Sequence, residues 1–310
     1  MARVFVTRRL PGHALERLEA EHEVEVWPDR LPPTPAELRA RTSDAEGLLS
    51  LLTDPVDRSL LEAAPRLRAV SNLAVGCDNI DLAAASERGL PVGFTPEVLT
   101  ETTADLAVAL MLAAARRLPE AEAAVRAGEW VTWEPGWLLG RDLHGATVGI
   151  IGLGRIGRAV ARRLEGFGVE ILHTGREGGT PLRRLLGRSH FVSLHCPLTP
   201  QTRGLIGAEA LRSMRDDAVL VNTARGPIVQ LGALAQGLVS GEIAAAALDV
   251  TDPEPLPSDH PLLRAPNLIV LPHVGSATHA TREAMAAIAA DNLLAALRGE
   301  RMPHQANPEV

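Results

Sequence analysis

Along the first hundred residues, short apolar runs alternate with stretches of helical spacing. Residues 3–7 (RVFVT), 23–27 (EVEVW), 47–52 (GLLSLL) and 67–72 (LRAVSN) read as strands. Between the first two, Ala14, Leu15 and Leu18 recur at helical intervals. A long helix is expected over 98–118. A second series opens at Thr147 with a strand (TVGIIG) and a helix (RIGRAVARRLEGFG) that places Ile156, Val160, Leu164 and Phe167 on one face. The runs VEILH, FVSLHC, AVLVN, IAAAALDV and NLIVLP follow. Each is almost unbroken in its apolar character, as strands covered on both faces require. A final Ala/Leu-rich helix over 280–297 is expected to return to the first domain. The pattern predicts an α/β protein of two doubly wound parallel-sheet domains, Rossmann-like or flavodoxin-like, with a cleft between them. The expected division is 1–98 plus 287–310 for one domain and 99–286 for the other.

Composition narrows the class. The chain has 310 residues, 46% of them apolar, and a net charge of −7, without the basic surplus of a nucleic-acid binder. The most apolar helix candidate has an uncharged run, 106–115, too short to span a bilayer. The N-terminal apolar stretch is too short for a signal peptide. Cys77 and Cys196 are far apart and fit no metal spacing, which suits a reducing cytoplasm and gives no metal site. There is no lysine, so any anion must be held by arginine, histidine or backbone N–H groups.

The strand–turn–helix at 147–167 carries the Gly-rich sequence Gly152-Leu153-Gly154-Arg155-Ile156-Gly157. Gly152 allows a tight turn, Gly154 lets a pyrophosphate approach the backbone, and Gly157 lets the helix pack on the strand. The helix N-terminus then supplies free N–H groups and its dipole to the phosphates. About twenty residues on, an NAD-binding fold presents an acid to the ribose hydroxyls. Here Thr174-Gly175-Arg176 stands at that strand end. A hydroxyl and a guanidinium without a carboxylate favour the 2′-phosphate of NADP(H), with NAD(H) as the other possibility.

A second cluster follows three later strands. Arg225 lies just past AVLVN, Asp249 and Glu254 lie past IAAAALDV, and His273 lies past NLIVLP. All fall at C-terminal strand ends, where open α/β sheets bind ligands. An arginine, a carboxylate and a histidine there suit redox chemistry on a 2-keto or 2-hydroxy acid. Arg225 would clamp the carboxylate, His273 would donate the proton as hydride arrives, and Glu254 would fix the ring's tautomer and keep it protonated. Singly, each has an ordinary structural reading.

The segments GIIGLGRIGRAVARRL, HCPLTPQTRGLI, VNTARGPIV, ALDV…PEP and LPHVGSAT, in this order and spacing, resemble the D-isomer-specific 2-hydroxyacid dehydrogenases. With GFTPEVLTETTADLAVAL, WVTWEPGWL and ILHTGR, the likeness covers most of the chain and is strongest to the glyoxylate/hydroxypyruvate reductases. The resemblance implies catalytic roles for Arg225, Glu254 and His273. It implies substrate contacts from the loop Ala74, Val75 and Gly76, through backbone N–H groups at Val75 and Gly76, and from Arg225 and His273. For the cofactor it implies Thr103, Gly152, Gly154, Arg155, Ile156, Gly157, Thr174, Gly175, Arg176, Cys196, Pro197, Thr202, Thr223, Ala224, Arg225, Asp249 (toward the carboxamide), His273 and Gly275. The fold is shared by phosphoglycerate, formate and phosphite dehydrogenases and by dinucleotide-sensing corepressors. The first needs cations for a substrate phosphate. Formate dehydrogenases lack the Glu–His pair, phosphite dehydrogenases use a lysine, and the acidic balance disfavours a corepressor.

Most of the tryptophans cluster in 130–140 (WVTWEPGWLLG), where Pro135-Gly136 predicts a loop. Trp130 and Trp133 are expected to pack into the core. The resemblance implies a homodimer built on this region, with Trp137 reaching the partner's substrate site.

Overall fold

The computed structural model describes every residue except Glu177. The chain divides into two compact units, Met1–Leu99 with Ala277–Val310, and Thr100–Ser276.

The first unit runs β1 (Arg3–Val6), α1 (Ala14–Glu19), β2 (Glu23–Val26), α2 (Pro35–Thr42), β3 (Gly47–Leu51), α3 (Arg58–Ala63), β4 (Ala69–Leu73), α4 (Leu82–Glu87) and β5 (Val92–Gly93). Its five strands pair in the order β2-β1-β3-β4-β5, all parallel, the flavodoxin-like arrangement. Alternate residues feed opposite faces. Val4, Val6 and Leu49 pack with Leu15 and Leu18 of α1, while Phe5, Leu48 and Val70 pack with Leu38, Leu60 and Ala84 of the helices opposite.

The second unit begins with α5 (Thr100–Ala115) and α6 (Leu118–Arg126). The expected single helix over 98–118 is therefore broken. Pro119 cannot donate to the carbonyl four residues back, and Arg117 adopts φ 53 between the two helices. The carbonyl of Ala115 is met instead by the N–H of Arg141 at 2.9 Å. After a long loop come β6 (Thr147–Ile151), α7 (Arg155–Leu164), β7 (Glu170–Gly175), β8 (Gly178–Gly179), α8 (Leu182–Arg188), β9 (Phe191–Leu194), α9 (Ala208–Ser213), β10 (Val219–Asn222), α10 (Leu231–Ser240), β11 (Ala245–Leu248) and β12 (Leu268–Val270). The strand order is β12-β11-β10-β9-β6-β7-β8, parallel except for the short antiparallel β8. In β10, Val219 and Val221 face α5 and α7 while Leu220 faces α8, α9 and α10, so the strand is apolar throughout.

The last helix, α11 (His279–Leu297), belongs to the first unit. The expected boundary at 287 falls inside it, whereas the unit resumes at Ala277, just ahead of the capping Thr278. The reason is packing: Met285 and Ala286, early in the helix, are already in that unit's core beside Leu293 and Leu297.

The loop 130–140 carries no helix or strand, as expected. Its rings, however, do not enter the core. Trp130 is 62% exposed and Trp133 80%. Among the described residues, the apolar clusters on the two faces of the second sheet include no residue of this segment. Trp137 is half-buried. Among the described residues no helix is long and apolar enough to cross a membrane.

Candidate active site

The order of the second sheet reverses between β6 and β9, and the Gly-rich turn follows β6 at that point. Gly152 has φ 98, and a Cβ there would lie 2.5 Å from the N of Cys196 and 2.7 Å from the carbonyl carbon of His195. Only glycine fits this turn beneath the loop that leaves β9. A Cβ on Gly157 would meet the carbonyl oxygen of Gly152 at 2.2 Å, so this glycine lets α7 close on the strand. Gly154, the residue before α7, has nothing within 4 Å of its would-be Cβ and no capping side chain, leaving the helix N-terminus open to an anion. On the neighbouring strand, Thr174 accepts from the N–H of Gly152 at 2.9 Å through its carbonyl. Gly175, which ends β7, and Arg176 just beyond it are exposed, and Arg176 has no hydrogen-bond or ionic partner among the described residues.

The second cluster is assembled by three adjacent strands, β10, β11 and β12. Beyond β10, the buried Asn222 folds its own loop: its Nδ2 donates to the carbonyl of Arg225 at 2.9 Å and its Oδ1 accepts from the N–H of Ala224 at 3.0 Å. Arg225 donates to the Ala224 carbonyl at 2.8 Å. The next residue, Gly226, sits so close to the following loop that a Cβ would lie 1.8 Å from the carbonyl oxygen of Thr251. That loop turns back so that Glu254 Oε1 accepts from the N–H of Thr251 at 2.9 Å. Its Oε2 lies 3.0 Å from Nδ1 of His273.

His273 has φ 54, a left-handed backbone unusual for a side chain of its size. Asp249 holds it there. The Asp249 carbonyl accepts the N–H of His273 at 2.9 Å, and its two carboxylate oxygens accept the N–H groups of Val274 at 2.7 Å and Gly275 at 2.8 Å. The backbone strain of roughly 1–3 kcal/mol is thus overcome by three hydrogen bonds from one residue. With Nδ1 occupied, Nε2 is the nitrogen left for a ligand. Burial pushes the Glu254 carboxyl up, but the hydrogen bond and charge of His273, the Thr251 N–H and Arg225 outweigh it and hold the group below its usual value. For Asp249 burial wins over its hydrogen bonds and the pKa is raised.

Arg225, Glu254 and His273, singled out in the sequence, therefore lie on touching loops, with the last two in direct contact. Thr223, just past β10, is buried and its hydroxyl has no partner among the described residues, as expected of a group waiting for a ligand atom. An open Gly154, an orphaned Thr223 hydroxyl and a tight Gly152 turn together fit a dinucleotide laid across the switch point. Thr103 spends its hydroxyl on the carbonyl of Gly275 at 3.2 Å, tying α5 to the His273 loop. Thr202 spends its own on the Pro197 carbonyl at 2.7 Å. Cys196 is buried, with its thiol pushed up to about 11, so it is no nucleophile. Arg155 and Pro197 are exposed, Ala224 and Ile156 half-buried. Ala74, Val75 and Gly76 belong to the first unit, past β4.

One residue beside the Gly-rich turn escaped the sequence reading. His195, two residues from Ser193, places Nε2 2.8 Å from the Ser193 hydroxyl, while its Nδ1 is sealed from solvent without a partner among the described residues. Burial pushes its pKa down to about 4. The signal was a polar pair at strand spacing inside an apolar run, Ser193-Leu194-His195.

Known proteins resemble this chain along nearly its whole length. The family model described as D-isomer specific 2-hydroxyacid dehydrogenase, NAD binding domain, matches residues 108–275. A glyoxylate reductase of Korarchaeum cryptofilum is 50% identical over 99% of this chain and 96% of its own length. A crystal structure of a Thermus thermophilus protein superposes with a TM-score of 0.92 at 47% identity, covering 98% of this chain and 99% of that one. The NADPH-dependent glyoxylate/hydroxypyruvate reductase of Sinorhizobium meliloti, solved with NADP and malonate, gives a TM-score of 0.86 at 35% identity over 98% of this chain and 96% of that one. With its Gly-rich turn, its paired α/β units and relatives that match it end to end, the chain belongs to the D-isomer-specific 2-hydroxyacid dehydrogenases, oxidoreductases that use a nicotinamide dinucleotide.

Proposed function

We propose that this enzyme reduces glyoxylate to glycolate and hydroxypyruvate to D-glycerate with NADPH. The observation that carries the reading is the Glu254–His273 pair at 3.0 Å on a loop in contact with that of Arg225. Thr100–Ser276 is the dinucleotide-binding unit, and Met1–Leu99 with Ala277–Val310 is the substrate-binding unit. The nicotinamide, when bound, supplies the hydride. Arg225 pairs with the substrate carboxylate and polarises the keto oxygen. His273, fixed by Glu254 through Nδ1, donates from Nε2 to that oxygen as the alcohol forms. Glu254 stays ionised at neutral pH because its pKa is held low, so it stabilises the cationic ring that donates. In the first unit, the loop at Val75 and Gly76 offers backbone N–H groups to a substrate carboxylate.

Arg176 reads the 2′-phosphate. It is exposed and unpaired among the described residues, and its strand end carries no acid to repel a phosphate. Trp130, Val131, Trp133 and Leu139 form an exposed apolar segment, with Leu118 and Val125 of α6 also exposed. This surface is the interface of a homodimer, with Trp137 reaching the partner's substrate site. The free cysteines suit the cytoplasm. Mixing purified protein with glyoxylate and NADPH, then with NADH, and following loss of reduced nicotinamide absorbance tests the assignment. Turnover with both keto acids and faster turnover with NADPH is expected. Inactivity on both acids would reject it.

A further inference from the structure

Strands β3 and β4 run side by side to Leu51 and Leu73, and the two loops beyond them are joined by a buried polar lattice. Asn79 Nδ2 donates to the carbonyls of Leu51 at 3.0 Å and Asp54 at 2.9 Å. Its Oδ1 accepts from Asn72 Nδ2 at 3.0 Å. Asn72 Nδ2 also donates to the Gly76 carbonyl at 3.1 Å, and its Oδ1 accepts from the Ser50 hydroxyl at 3.2 Å. Asp54 closes the other end: its Oδ2 accepts from the N–H of Leu51 at 2.7 Å and from the Thr7 hydroxyl. From outside, the N–H of Thr95 holds the carbonyl of Ala74 at 2.8 Å. Thr7, Ser50, Asn72 and Asp54 are all 1% exposed or less.

Paired polar groups of this kind contribute little net stability, and replacing both partners by apolar groups of the same shape can be nearly neutral, so a hydrophobic turn would close these strands as well. What the lattice adds is a backbone that cannot shift. The backbone it encloses is 74–79. Within it the N–H groups of Val75 and Gly76 have no acceptor among the described residues, and both residues are part-exposed. The lattice grips the Gly76 carbonyl and leaves the adjoining N–H groups open.

We propose that Asp54, Asn72 and Asn79 are positioning residues, which hold the Val75 and Gly76 N–H groups in one fixed orientation toward the substrate carboxylate. The inference rests on the reading of this protein as a keto-acid reductase. The carboxylate is present in the ground state and the transition state alike, so a loop that wavers weakens both equally. It raises KM and leaves kcat alone.

The test compares wild type with Asp54→Ala, Asp54→Asn and Asn79→Ser, using steady-state kinetics with glyoxylate, NADPH binding by fluorescence and thermal melts. Asn79 is part-exposed, so its serine variant gives a folded alternative should Asp54→Ala not fold. In Asp54→Ala and Asn79→Ser, KM for glyoxylate is expected to rise about tenfold or more, with kcat and NADPH affinity within about twofold. Asp54→Asn keeps an oxygen for the Leu51 N–H and the Thr7 hydroxyl, so it is expected to restore KM to within about threefold of wild type. A folded Asn79→Ser with unchanged KM, a loss confined to kcat, or an Asp54→Asn as impaired as a folded Asp54→Ala would each overturn the proposal. Failure of the underlying reading shows separately, as a wild type inactive on both glyoxylate and hydroxypyruvate, and it overturns both.

Discussion

Acid is expected to destabilise this protein through His195, and the size of the effect follows from where the ring lies. In the unfolded chain the imidazole titrates near 6.5; in the fold, burial lowers that to about 4. Between those values the unfolded chain carries a proton that the folded chain refuses. The lowered pKa makes the contribution complete above about 6.5 and removes it as pH falls through about 4. At ~1.36 kcal/mol per pH unit the loss is limited to roughly 3 kcal/mol, of which roughly 2 is gone by about pH 5. The assay is guanidinium unfolding by circular dichroism at about pH 7.5 and pH 5, for wild type and His195→Gln, at one protein concentration. Asp54 and Asp249, whose pKa values are raised by burial, titrate in both proteins and cancel in the comparison. Wild type is expected to lose roughly 2 kcal/mol more than the variant between the two conditions. Parallel losses would refute the reasoning, because they would mean the ring reaches water, or a partner, in the folded state.

Other outcomes follow from the site. Arg176→Ala is expected to weaken NADPH binding by about ten- to a hundredfold while sparing NADH, since a charge-assisted contact is worth roughly 1.5–3 kcal/mol; titration with each cofactor checks it, and equal losses would count against the assignment. His273→Ala should lower kcat by about a hundred- to ten-thousandfold, and Arg225→Ala should cost about 2–5 kcal/mol in kcat/KM by leaving a carboxylate unpaired; steady-state rates on glyoxylate decide both. Light scattering at micromolar concentration is expected to give a dimer, and Trp137→Ala to improve activity on bulkier 2-keto acids relative to glyoxylate. An unchanged ranking in a dimeric variant would confine the ring to interface packing.

The parts of the fold that could be read in the sequence are those whose burial leaves a one-dimensional trace. Strands β6, β9, β10 and β11 are covered on both faces, and that alone forces their unbroken apolar runs. The two-residue strands β5 and β8 are too short to show any period. The break between α5 and α6 was marked by Pro119, but the apolar spacing runs on past it and masks the stop. For Arg225, Glu254 and His273, position after a strand located each residue, while the approach of their loops depends on Gly226 and Asp249 acting across loops. Trp130 and Trp133 misled because a large apolar ring usually means core, and nothing local says that the segment lies off both sheets. The lattice of Asp54, Asn72 and Asn79 was illegible for a related reason. Buried polar pairs have no periodicity and are recognised only once their partners stand opposite them.

The contact between Gly226 and Thr251 has a bearing on how this scaffold could be re-engineered. With no room there for even a methyl group, the Arg225 loop and the Glu254 loop form a single interlocked part. A library that randomises one of them alone would be dominated by unfolded or misassembled members, and a loop grafted from a relative would succeed only if both were carried together. New substrate ranges are better sought elsewhere, in the exposed 130–139 segment or at the part-exposed Val75 side chain, neither of which belongs to the lock.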